Sequence, residues 1–292
     1  MTPKFITRIL LYVALVGPAS STHAALGFES SVGAAERFKS AYLALPTNPE
    51  NIAAFEGAAH GGNPIAAFYL GLAYQQGRGT AKDEERALMY YKLGANKLRE
   101  SAFNAARVYW LREKYDEAFP YLVMAADDRS SNGLVQAMVL LGQLYETGKS
   151  KTLGTDYMAA SRWYELAARQ KDSYATAKMG EFSLYGYARA ANFRDARAYL
   201  ERAADMRNPE AQFLMGELFS RGMGAPVNRV DAGKWYLIAE AQAPALKGKR
   251  SGFLAGLTEL ELSSAQKMAV IWNDTHGPAA PIDHLLLLDR LR

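Results

Sequence analysis

The sequence contains no cysteine. That excludes disulfides, thiolate metal sites and a lipid carried on an N-terminal cysteine. Histidine is nearly as scarce. No two of His23, His60, His276 and His284 stand three to five residues apart, so histidine spacing builds no zinc site. Neither sign of charge dominates either. The first 24 residues hold Lys4 and Arg8 and no acid, and the rest of the chain sets 32 basic against 30 acidic residues. Such a balance lacks the basic footprint of a nucleic-acid binder. No apolar run reaches the roughly 20 residues that span a bilayer.

What the first 24 residues do contain has three parts. Lys4 and Arg8 are followed by the apolar run Ile9 to Val16, and then by small residues around Ala24. This reads as a cleavable signal peptide, which places the mature chain in the periplasm or outside the cell. The alternative is an uncleaved amphipathic start or a weak membrane anchor.

The remainder repeats itself. Aligned on Leu70-Gly71, the chain shows Ala105-Ala106, Leu141-Gly142, Met179-Gly180 and Met215-Gly216, at spacings of 35, 36, 38 and 36 residues. An alanine or serine stands four residues before each apolar member (Ala66, Ser101, Ala137, Ala175, Ala211). Tyr74, Tyr109, Tyr145 and Phe219 follow three residues after four of the five pairs. A second block recurs downstream at Ala87, Ala118, Ala160, Ala196 and Ala232. Each of these is followed by Tyr90-Tyr91, Tyr121-Leu122, Trp163-Tyr164, Tyr199-Leu200 or Trp235-Tyr236. Offsets of three and four are helical, so each unit is predicted to be two amphipathic helices joined by a loop. One such hairpin cannot bury its apolar stripe alone, and stacking is obligatory. Gly77 and Gly222 mark helix ends that want positive φ. Asp83, Asp156 and Asp231 precede the second helices or open their first turns.

This pattern resembles the Sel1-like repeat, a relative of the tetratricopeptide repeat, over residues 61 to 243. The second unit departs from it. Ala106 lies only 12 residues before Ala118, against 16 from Gly71 to Ala87, and that shorter loop looks like a tetratricopeptide unit. The resemblance implies an all-α, α/α superhelical solenoid. Residues 25–60 are expected to form a degenerate N-terminal repeat, 244–277 C-terminal capping helices, and 278–292 an apolar tail. In that tail Leu285 to Leu288 either pack back or mediate self-association.

The resemblance to tetratricopeptide hairpins also implies which first-helix residues face the concave side and bind a protein or peptide partner. They are Phe68, Leu72, Gln75, Phe103, Arg107, Trp110, Gln143, Glu146, Glu181, Tyr185 and Glu217. Trp110 has a second reading, as a filler of the space left by the short loop. No constellation supplies nucleophile, base and orienting group together, and no cofactor or metal is implied. Gly77-Arg78-Gly79 lacks the preceding strand of a phosphate loop. The sequence therefore points to a non-catalytic scaffold of the periplasm or exterior, within an envelope or exopolysaccharide-secretion assembly. The alternative is an enzyme, or an enzyme regulator, acting on cell-envelope polymer.

Overall fold

A computed structural model describes residues 31–47, 49–127, 133–224 and 226–277. The expected signal peptide (1–24) and the apolar tail (278–292) lie outside the described residues. Among those residues the regular structure is helical and no strand occurs, in agreement with the all-α expectation. The chain divides into two compact units, Met1–Val108 and Tyr109–Arg292.

The first unit holds α1 (Ser31–Ala44), α2 (Asn51–His60), α3 (Pro64–Gln76), α4 (Glu84–Ala95) and most of α5 (Arg99–Leu111). Helices α1 and α2 lie against α3, with Phe38 meeting Phe55 at 5.5 Å and Tyr42 meeting Tyr69 at 5.3 Å. Arg78, in the α3–α4 loop, donates from Nε to the Tyr42 carbonyl at 2.9 Å and from Nη2 to that of Leu43 at 2.5 Å. The glycine-flanked arginine thus ties the loop to the end of α1, where the last helical carbonyls need donors.

The second unit continues with α6 (Tyr115–Ala126), α7 (Val135–Thr147), α8 (Tyr157–Arg169), α9 (Ser173–Tyr185), α10 (Phe193–Asp205), α11 (Pro209–Arg221) and α12 (Arg229–Gln242). A 3-10 turn at Pro244–Leu246, the short α13 (Ser251–Ala255) and α14 (Glu259–His276) complete it. Each helix from α7 to α12 packs on the next, and α14 lies along α12. There Ala265 and Ala269 are buried, and Trp272 meets Trp235 at 5.7 Å.

Helix ends follow from local chemistry. Asn63, Asp172 and Asn208 cap first helices by accepting amide hydrogens one turn on, and a proline follows Asn63 and Asn208. Asp83 and Asp156 cap α4 and α8 in the same way. Asp231 is not the cap of α12. Asn228 holds that place, accepts from the Asp231 amide at 3.0 Å and donates to its carboxylate at 2.6 Å. First helices α3, α7, α9 and α11 end on Gly77, Gly148, Gly186 and Gly222, all left-handed. Helix α5 has no such glycine. Glu113 takes φ +55° within a loop of three residues (112–114), against seven in the α3–α4 loop (77–83). The four-residue shortening read from the sequence is therefore located there.

One packing device recurs. The rings of Tyr91, Tyr164 and Tyr236 lie on the backbone of Gly71, Gly142 and Gly216, where an added Cβ would come within 2.6, 2.5 and 2.4 Å of ring atoms. Glycine is required because the ring occupies the Cβ site. All three tyrosines are buried. Each hydroxyl meets the residue four places after its glycine: Gln75 at 2.6 Å, Glu146 at 2.6 Å and Ser220 at 3.0 Å. In the fourth hairpin Leu200 replaces the tyrosine over Gly180, and the place of the hydroxyl's polar partner is taken by apolar Leu184. A buried hydroxyl without a partner costs about 1–3 kcal/mol. The tyrosine and the polar partner of its hydroxyl therefore come and go together.

Candidate functional site

Of the concave-face residues in the first unit, Phe68 is buried, edge-on to Tyr69 at 5.3 Å and tilted against Tyr91 at 6.4 Å. Leu72, Gln75 and Phe103 are half-buried. Gln75 Oε1 accepts from Tyr91, so packing holds that side chain in place. Arg107 is half-buried, and its Nε is enclosed without an acceptor. Desolvation lowers its pKa from the ordinary arginine value, and only Tyr91 opposes that shift.

In the second unit Trp110 is half-buried, with its ring edge-on to Tyr115 at 5.1 Å. Tyr115 is the first residue after the shortened loop, so the Trp110 ring packs against the end of that loop. Lys149 Nζ stands 5.6 Å from the Tyr115 ring.

Gln143, Glu146 and Glu181 are brought together by two residues of α9 that the concave-face positions did not include. Lys178 Nζ donates to Glu146 Oε1 at 2.8 Å and to Glu181 Oε2 at 2.9 Å. Gln143 Nε2 donates to the Tyr174 hydroxyl at 3.1 Å. Burial alone would lower the Lys178 pKa. Tyr174, Glu181 and Glu146 outweigh it and hold the ammonium above the ordinary lysine value. Burial, with Glu146 and Tyr174 adding to it, pushes the Tyr164 hydroxyl well above its ordinary value, so it remains a donor to Glu146. Both Glu146 oxygens are then occupied, one by Tyr164 and the other by Lys178. The Lys178–Glu181 offset of three is a signal in the sequence. The reach to Glu146, in the preceding hairpin, is not.

Tyr185 is exposed at the end of α9 and joins two exposed tyrosines that the sequence reading missed. Tyr187 lies 5.7 Å from Tyr185, and Tyr157 stacks on Tyr187 at 5.3 Å. The three come from the end of α9, the loop beyond it and the start of α8, so only the packed hairpins assemble them. Glu217 lies differently. It is 2% exposed, paired with Arg221 at 2.9 Å and with Arg250, and accepts from Tyr236 at 3.3 Å. The segment after α12, which carries Arg250 and Phe253 over Tyr236, takes up that position of the face.

The surface is therefore a lysine held between two carboxylates, bordered by exposed tyrosines. It presents charged groups and exposed aromatic area on one unit. Among the described residues no group of three or more histidines, aspartates or glutamates is placed to hold a metal ion. No helix among them is long and apolar enough to cross a membrane.

The Sel1 repeat family model matches residues 64–97, 135–172, 173–208 and 209–243. The short-loop unit lies between the first two matches. A chitin synthase regulator of Saccharomyces cerevisiae is 32% identical over 191 residues. That match takes 61% of this chain and 27% of the yeast protein, so the chain spans about a quarter of that relative's length. Among solved structures, a protective antigen of uropathogenic Escherichia coli displaying an SLR fold superposes with a TM-score of 0.65 at 20% identity. The match covers 88% of this chain and 59% of the antigen, a likeness of fold alone. A Sel1 repeat protein from Oxalobacter formigenes gives 0.59 at 26% identity, covering 83% of this chain and 98% of that one.

Proposed function

Because the chain belongs to the Sel1 repeat family, whose members are protein-interaction scaffolds, we propose that it is a non-catalytic adaptor that holds a protein or peptide partner on the faces of its first helices. The observation that carries the reading is the surface of α7 and α9. Lys178 between Glu146 and Glu181, beside exposed Tyr185 and Tyr187, offers polar pairs that are only partly screened and exposed aromatic area. Exposed aromatics beside charge are the usual anchors of an interface. Export by the segment at 1–24 would place this adaptor in the periplasm or outside the cell, within an envelope or exopolysaccharide-secretion assembly.

A second reading is favoured by one comparison. The yeast relative is a regulator of chitin synthase, so this chain would regulate an enzyme that acts on cell-envelope polymer.

The test is affinity capture from envelope extract with the wild type beside a Glu181→Lys, Tyr185→Ala, Tyr187→Ala variant of equal helicity. The adaptor reading expects a partner that the wild type retains and the variant loses. Equal capture by both would refute this surface. A partner that is a polymer-acting enzyme, with altered turnover in the complex, would favour the regulator.

A further inference from the structure

Arg107 is half-buried and yet lacks the oxygen partner that many of the chain's arginines have. Arg78, Arg86, Arg169, Arg197, Arg221, Arg229 and Arg250 all meet carbonyl or carboxylate oxygens within the protein. The residues at the corresponding place in the following hairpins, Gln143, Glu181 and Glu217, are also partnered. The Arg107 side chain has no hydrogen bond and no ion pair among the described residues, and its Nε is shut off from water without an acceptor. Its electrostatic neighbour is Tyr91, whose hydroxyl donates to Gln75 Oε1. Gln75 is half-buried, and with its oxygen engaged its amide hydrogens are left for another acceptor. Half-buried Leu72 and Phe103 lie one helical turn away from Gln75 and Arg107 along α3 and α5. A desolvated cation without a counter-ion is penalised in the free protein, and an arriving anion relieves that penalty. A planar guanidinium fork matches a carboxylate in two parallel bonds. A single positive charge with neutral donors beside it balances one carboxylate and leaves a doubly charged phosphate in excess.

We propose that Arg107, with the Gln75 amide as second donor, receives a glutamate or aspartate side chain from a partner segment that also carries apolar residues. This inference rests on the adaptor reading and names the chemistry of one contact within it.

The experiment titrates the full chain with a fluorescent ten-residue peptide, capped at both ends, in which glutamate alternates with leucine. Its counterpart carries glutamine in place of glutamate. The wild type is expected to prefer the glutamate peptide by at least about tenfold, and the preference should shrink as salt is raised. Arg107→Met should abolish the preference while the helical circular dichroism and the melting transition stay as in the wild type. Arg107→Lys should keep only part of it, because an ammonium lacks the fork. Equal binding of the two peptides overturns the proposal. So does no binding of either, a preference that survives in Arg107→Met, or tighter binding of a glutamine peptide with a free C-terminal carboxylate. If Arg107→Met still captures the wild type's partner at full strength, the carboxylate contact falls and the adaptor reading stands. If the wild type captures no partner, the adaptor reading falls, whatever the peptide pair shows.

Discussion

Consider Gly142→Ala. The new methyl carbon would stand 2.5, 2.6 and 2.8 Å from Cε1, Cδ1 and Cζ of Tyr164. Carbon atoms in contact normally sit about 3.5–4.0 Å apart, so the ring must retreat by about 1 Å. Tyr164 is fully buried and has no open side to move towards. Its hydroxyl is 2.6 Å from a Glu146 oxygen, and the same displacement breaks that bond. Overpacking costs about 1–3 kcal/mol, and loss of a hydrogen bond to a charged acceptor about 1.5–3 kcal/mol. Alanine returns about 1 kcal/mol of helix propensity. The net expectation is a loss of about 3 kcal/mol. In a repeat array that loss is local first, so it should appear as weakened hydrogen-exchange protection of amides in α7 and α8, and then as a lower denaturant midpoint. A second variant checks the cause. The short-loop unit carries Ala106, Trp110 and Leu122 at the places of Gly142, Glu146 and Tyr164. Adding Tyr164→Leu and Glu146→Leu to Gly142→Ala should therefore restore at least half of the loss. If Gly142→Ala is as stable as the wild type, or if the triple variant merely adds further cost, the ring-on-glycine account is wrong.

Gly57, in α2, is the opposite case, because a Cβ there meets nothing within 4 Å. Gly57→Ala should stabilise the first unit by about 0.5–1 kcal/mol, measured by urea unfolding. Asp156→Ala removes the acceptor for the Ala159 amide at 2.9 Å and should cost about 1 kcal/mol, with faster exchange confined to the first turn of α8. The first unit should also be alkali-labile. Burial, with Glu36 and Glu56 adding to it, pushes the pKa values of Tyr69 and Tyr90 respectively up to about 12 from an ordinary 10.0. The folded state keeps protons that the unfolded chain releases, so this stabilisation is whole below pH 10.0 and is lost as the pH rises towards about 12. Each tyrosine should contribute a slope of up to about 1.4 kcal/mol per pH unit in that window. Tyrosinate absorbance that titrates at the ordinary value while the protein is still folded would contradict this.

Much of the fold was legible because its signals are local. Apolar residues at offsets of three and four declare helices, and Asn, Asp and Gly at helix ends declare where they start and stop. The repeat spacing declares hairpins, and a gap of 12 instead of 16 residues located the three-residue loop before Tyr115. The faces of the first helices were less legible. Glu146 and Gln75 read as open polar positions, yet each is engaged by a tyrosine of its own hairpin. Glu217 read as the end of the face, yet Arg250, from beyond the last repeat, is paired with it in the interior.

The sequence by itself therefore determined the helices, their ends, their pairing into hairpins and the short loop of the second unit. These depend on interactions between residues a turn or a hairpin apart. Tertiary structure alone decided that Lys178 bridges two hairpins, that Tyr157, Tyr185 and Tyr187 share one patch, and that Arg107 has no counter-ion among the described residues. Those outcomes depend on which side chains from successive hairpins meet, at separations where no local periodicity operates.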